Sequence, residues 1–118
     1  IEDLQAHPFI DYIHEGHVSE RYRILSELVT PPPRRVFTST SVLAQRAAAA
    51  SGLGLILLAK FVAGESDDLV CIFPDRPLIK RTLWIAAPED LLRIRRIRRV
   101  WDHIRDVVSA HPNFFGKT

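Results

Sequence analysis

The chain has no methionine, a single cysteine and only five glycines among its 118 residues. A natural chain starts with methionine, so one that opens at Ile1 is expected to lack its natural N-terminus and any targeting signal there. The lone Cys71 closes no internal disulfide and stands at no metal-binding spacing. It lies inside the apolar run 69–73, where a small buried hydrophobe is expected, and a reducing cytoplasm suits it. Long hydrophobic runs are missing too. The longest, 52–62, is broken by Lys60 and falls short of the roughly 20 residues that a membrane-spanning helix needs, so no membrane partner is expected. Nor is there an excess of one charge: 16 Lys and Arg against 14 Asp and Glu leave a net charge of +2. Arginines do crowd the stretch 93–105, but one basic stripe on a near-neutral chain is not a nucleic-acid footprint.

What remains is an ordinary globular composition, 47% hydrophobic and 25% charged, in a length that suits one compact domain. Its punctuation is informative. Residues 9–13 read as a short strand between Pro8 and the turn His14-Glu15-Gly16. From His17 to Val29 the apolar residues Val18, Tyr22, Leu25 and Val29 recur at helical steps, and the prolines 31–33 stop that helix because they lack an amide hydrogen. A second strand is expected at 34–38. The hydroxyls of Thr38, Ser39, Thr40 and Ser41 follow it and suit the N-terminus of an alanine-rich helix at 42–51. Gly52 ends that helix, and the apolar run 53–58 predicts a strand covered on both faces. A helical turn at 60–63, an acidic loop at 64–68, and strands at 69–73 and 81–87 come next. A long helix closes the chain at 89–110, with Ile94, Ile97, Trp101, Ile104 and Val108 on one face. Alternating strands and helices imply an α/β fold with a mostly parallel sheet flanked by helices.

The stretch VFTSTSVLAQRAAAASGLGLILL resembles the effector-binding domain of LysR-type transcriptional regulators: strand, hydroxyl-rich turn, alanine-rich helix, G-L-G turn and apolar strand. FVAGESDDLVCIFPD and RTLWIAAPEDLLRIRRIRRVWDHIRDVV continue the likeness, and DLQAHPFIDYI is similar to the opening of the family's second subdomain. The resemblance implies a periplasmic-binding-protein-like (type 2) fold. It assigns residues 8–80 to the second subdomain and 81–118 to the strand and helix that return to the first. It also implies a non-enzymatic sensor that binds a small effector, assembles into homo-oligomers through these domains, and reaches DNA only through a winged helix absent from this chain. Ala59 stands where a proline is common in the family. The solute-binding protein of a transporter shares the fold and is the alternative, as is a small stand-alone α/β enzyme using Asp11, His14 or Glu15. For the enzyme, a nucleophile or cofactor loop is missing from the sequence, and no cofactor is expected.

Two groups of residues carry the expected chemistry. Thr38, Ser39, Thr40 and Ser41 stand at the carboxyl end of a parallel strand and at a helix N-terminus, where open α/β sheets bind ligands and free amides favour an anion. By resemblance this turn faces the effector, and a small carboxylate fits it; the competing reading is helix capping alone. His14 and Glu15 follow the first strand on the same sheet edge as cleft-lining or surface residues. Two histidines three apart with no further ligand make a poor metal motif. Gly52 and Gly54 read as a helix stop and a tight turn, the arginines of the last helix as a solvated face, and Trp84 and Trp101 as core. A chain lacking the cover for its last helix is expected to self-associate, by exchange of the unit 81–110.

Overall fold

The computed structural model describes residues 1–15, 17, 19–64 and 67–112. The chain forms two compact units, Ile1–Val70 and Cys71–Thr118.

The first unit is built around three parallel strands in the order β2-β1-β3. Strand β1 (Phe9–Tyr12) lies between β2 (Arg35–Ser39) and β3 (Leu55–Ile56). Helix α1 (Glu20–Leu28) connects β1 to β2, and α2 (Val42–Ala50) connects β2 to β3. The two crossovers run in opposite directions along the sheet, so their usual right-handed sense puts α1 and α2 on opposite faces. Phe9 and Asp11 share one face of β1: the Phe9 ring meets Tyr22 of α1, and Asp11 meets Ser19 at the start of that helix. Leu4, Phe9, Ile10, Leu25 and Val29 form the buried apolar core.

Helices α1 and α2 each have a legible start. Ser19 accepts a hydrogen bond from the Tyr22 amide and caps α1; Ser41 accepts one from Ala44 and caps α2. Such caps contribute about 1 kcal/mol each. Helix α1 begins at Glu20 rather than at His17, because the capping hydroxyl at Ser19 fixes the boundary; Val18, the first residue of the expected stripe, lies outside the described residues. Gly52 ends α2 with φ 84°, a conformation that glycine takes without a Cβ penalty. Gly54 follows for a different reason. A Cβ there would stand 2.5 Å from the carbonyl oxygen of Pro8, the acceptor of the Leu55 amide at 2.8 Å. The backbone of β3 therefore lies hard against the entrance to β1. The turn α3 (Lys60–Ala63) forms as expected. Beyond it, Arg46 of α2 grips both carboxylate oxygens of Asp68 at 3.1 and 2.9 Å, and donates to the Ala63 carbonyl at 3.3 Å. Glu65 and Ser66 of the expected acidic loop lie outside the described residues.

The second unit holds α4 (Glu89–Leu92) and α5 (Arg95–Ala110). Several expectations fail here. The expected strands at 69–73 and 81–87 are absent, and the apolar run 53–58 pairs only over Leu55–Ile56. A strand exists only where a neighbouring backbone takes up its amides and carbonyls, and these segments pair with none among the described residues. Burial fails with pairing: Cys71 is exposed and Trp84 is 87% exposed, whereas Trp101 is half-buried. The closing helix is divided. Tight i→i−3 bonds, from Arg93 to Asp90 and from Ile94 to Leu91, end α4, and Ile94 with ψ 117° starts α5. No glycine or proline marks the break. The arginine face behaves as expected, exposed and partly paired along the helix, Arg93 with Glu89 and Arg98 with Asp102.

Candidate functional site

The carboxyl ends of β1 and β2 stand side by side, with Tyr12 paired to Ser39. The pairing extends one residue further, where the Ile13 amide donates to the Ser39 carbonyl at 3.2 Å. The turn Thr38–Ser41 and the segment beginning at His14 therefore emerge from adjacent strands onto one sheet edge. They also belong to the crossovers that diverge to opposite faces, the place where open α/β sheets form a crevice.

The four hydroxyls of the turn divide their work. Ser39 Oγ accepts from the Ser41 amide at 3.0 Å, and Ser41 Oγ accepts from Ala44 at 3.3 Å, so these two shape the turn and cap α2. Thr38 and Thr40 are exposed, and their hydroxyls make no hydrogen bond among the described residues. Of the four hydroxyls, those of Ser39 and Ser41 alone carry the shaping and capping of the turn. Across the edge, His14 and Glu15 are exposed, with Nε2 and Oε1 at 3.8 Å. Glu15 has φ 50°, an uncommon conformation for a residue with a Cβ, in a turn closed by the bond from His17 N to the His14 carbonyl at 3.0 Å. Among the described residues no three His, Cys, Asp or Glu side chains come together as a metal site.

Beneath the edge lies a polar network that follows no sequence motif. Gln45, in the first turn of α2, is fully buried. Its Nε2 donates to the Ser39 carbonyl at 2.7 Å, and its Oε1 accepts from Arg21 Nη1 of α1 at 3.3 Å. One side chain thus joins the end of β2 to the first turns of both helices. The Arg21 guanidinium carbon lies 5.8 Å from the centroid of the Tyr12 ring, within cation–π range. The Tyr12 and His14 rings are in turn only 23° from parallel, with centroids 6.4 Å apart.

Asp11, placed above among the acid–base groups of an enzyme, is held instead as a structural carboxyl. It is 1% exposed. Oδ1 accepts from the Tyr12 amide at 2.8 Å and from the Ser19 hydroxyl, the same hydroxyl that caps α1. Oδ2 has no hydrogen-bond partner among the described residues and faces Arg35 Nη1 at 3.7 Å. The Arg35 guanidinium lies 4.7 Å from the Tyr22 ring centroid. A signal for this network exists in the sequence: Asp11 and Gln45 are polar residues set in apolar surroundings, and a buried polar group requires a partner.

The second unit offers a contrasting cavity. Ile85, Ile97, Val100, Trp101 and Ile104 line an open, almost wholly apolar hollow of about 470 Å³. Arg96 also lines it, but without the further convergent polar groups that orient a small charged ligand, so the sheet edge is the better candidate.

The family model described as LysR substrate binding domain matches residues 1–109. No curated protein and no solved structure matches the chain significantly.

Proposed function

Because the chain belongs to the LysR substrate binding domain family, a family of ligand-sensing regulator domains with a periplasmic-binding-protein-like (type 2) fold, we propose that it senses a small carboxylate at the carboxyl edge of its sheet. The observation that carries this reading is the convergence of the α2 N-terminus, the exposed hydroxyls of Thr38 and Thr40, and the His14–Glu15 segment on one edge. Helix N-terminal amides favour an anion, and the two free hydroxyls supply directional bonds. Ser39 and Ser41 act through the turn they shape, while His14 and Glu15 form the opposite wall.

Bound effector would bias a hinge between subdomains, and that change would pass to a DNA-binding domain outside this chain. The regulator would assemble as a homo-oligomer through these domains. The exposed Leu83, Trp84 and Val100 of the second unit support such association. Among the described residues no helix is long and apolar enough to cross a membrane.

A thermal-shift screen of small carboxylates, run beside light scattering on the same sample, tests the proposal. We expect at least one carboxylate to raise the melting temperature while chloride at equal ionic strength does not, and a mass above that of the monomer. A carboxylate-insensitive monomer would overturn both parts of the reading.

A further inference from the structure

We propose that Arg21, Tyr12 and His14 make the sheet edge selective for a planar aromatic carboxylate over an aliphatic one. The inference rests on the edge being the ligand site, and it assigns specificity to residues other than the hydroxyl turn.

Three observations carry it. The first is the state of Arg21. Its Nη1 is spent on Gln45 Oε1, a fully buried acceptor that fixes where the guanidinium sits. A guanidinium has five N–H donors, and a carboxylate takes two of them side by side. Among the described residues no carboxylate pairs with Arg21: Asp11 is committed to Ser19, Tyr12 N and Arg35, and Glu15 lies by His14. The second is the pair of rings. Tyr12 is half-buried and His14 exposed, and their planes differ by only 23°. The third is that Arg21 lies over the Tyr12 ring, so the cation and the aromatic faces are contiguous. A flat ligand whose ring stacks on Tyr12 or His14 brings an attached carboxylate to the guanidinium. An aliphatic ring of similar size has no π face to stack and gains less.

Arg21→Gln retains a side-chain donor able to face Gln45 Oε1, and His14 lies outside the core. Gln45 already ties α2 to β2 through Ser39, so Arg21 adds only a partly exposed bond, and the His14 ring covers no core.

The test is a titration of the 118-residue chain with benzoate, cyclohexanecarboxylate and acetate, followed by NMR chemical shifts of the amides at the sheet edge. We expect benzoate to bind about tenfold tighter than cyclohexanecarboxylate, the factor that one aromatic contact supplies. The variant His14→Ala, at an exposed position, should shrink that preference with the fold intact by circular dichroism. Tyr12→Leu should abolish the preference, and Arg21→Gln should weaken all three ligands at least tenfold with the fold intact by circular dichroism. Equal affinity for benzoate and cyclohexanecarboxylate, or a preference untouched by both His14→Ala and Tyr12→Leu, would overturn the aromatic selectivity and leave the carboxylate site standing. No shift at the edge with any of the three would overturn the site itself.

Discussion

Replacing Gly54 by alanine is expected to destabilise the first unit by about 3 kcal/mol, because the new methyl group has nowhere to go. Its position is 2.5 Å from the Pro8 carbonyl oxygen and 2.9 Å from the carbonyl carbon, and both neighbours are backbone. Relief requires β3 to move away from β1, which breaks the bond from Leu55 N to Pro8 O and disturbs the two-residue pairing of Phe9 and Ile10 with Leu55 and Ile56. Overpacking of this kind costs roughly 1–3 kcal/mol, and each lost backbone bond adds about 1 kcal/mol. Urea unfolding followed by far-UV circular dichroism measures the loss. Gly52→Ala is the control: no atom lies within 4 Å of its added Cβ, so its cost is confined to the positive φ of 84°, about 1 kcal/mol. If the two substitutions cost the same, the close approach at Pro8 is not what fixes Gly54.

The second large effect is expected at Asp11. Asp11→Ala removes the acceptor of the Tyr12 amide and of the Ser19 hydroxyl, and leaves Arg35 facing an emptied site. Unsatisfied buried donors cost about 1–3 kcal/mol each, so the total should reach about 2–4 kcal/mol. Asp11→Asn keeps an acceptor at Oδ1 and should cost less than half as much. The ion pair joins a fully buried carboxylate to an arginine that is 36% exposed, and at 3.7 Å it is too long for a hydrogen bond, so a modest coupling is expected. A double-mutant cycle with Arg35→Ala should accordingly return a coupling below about 1 kcal/mol. A coupling that accounts for most of the Asp11→Ala loss would contradict this picture and make the pair, not the cap, the function of the residue.

These two positions also show what the sequence reveals. The order of elements from residue 9 through residue 63 is legible because its signals are local: Pro8, the prolines 31–33, the hydroxyl turn, the alanine-rich helix and Gly52 each act on their own neighbours. The start of α1 at Glu20 is missed by three residues, since an N-cap serine looks like any other until its partner amide is known. Beyond residue 69 the same reasoning fails. Leu69–Phe73 and Arg81–Ala87 have the apolar content of strands, but pairing is supplied by distant segments and composition does not encode it. Side-chain type and apolar sequence neighbours predict burial of Cys71 and Trp84, but they set a preference for cover without providing one.

The candidate site divides in the same way. The turn Thr38–Ser41 and the pair His14–Glu15 are visible as residues that follow strands, and parallel pairing of β1 with β2 brings them to one edge. The links beneath, Gln45 to Ser39 and to Arg21, span 6 and 24 residues and obey no spacing rule. Only the chemical oddity of a glutamine in an alanine-rich helix hints at them.

The most direct test of the central claim is a map of amide chemical shifts in the 15N-labelled chain as benzoate is added. We expect concentration-dependent shifts at Ile13, His14 and Glu15 and from Ser39 through Ala44, with the amides around Ile97, Val100 and Ile104 unmoved. Shifts confined to that apolar hollow, with the sheet edge silent, would contradict it.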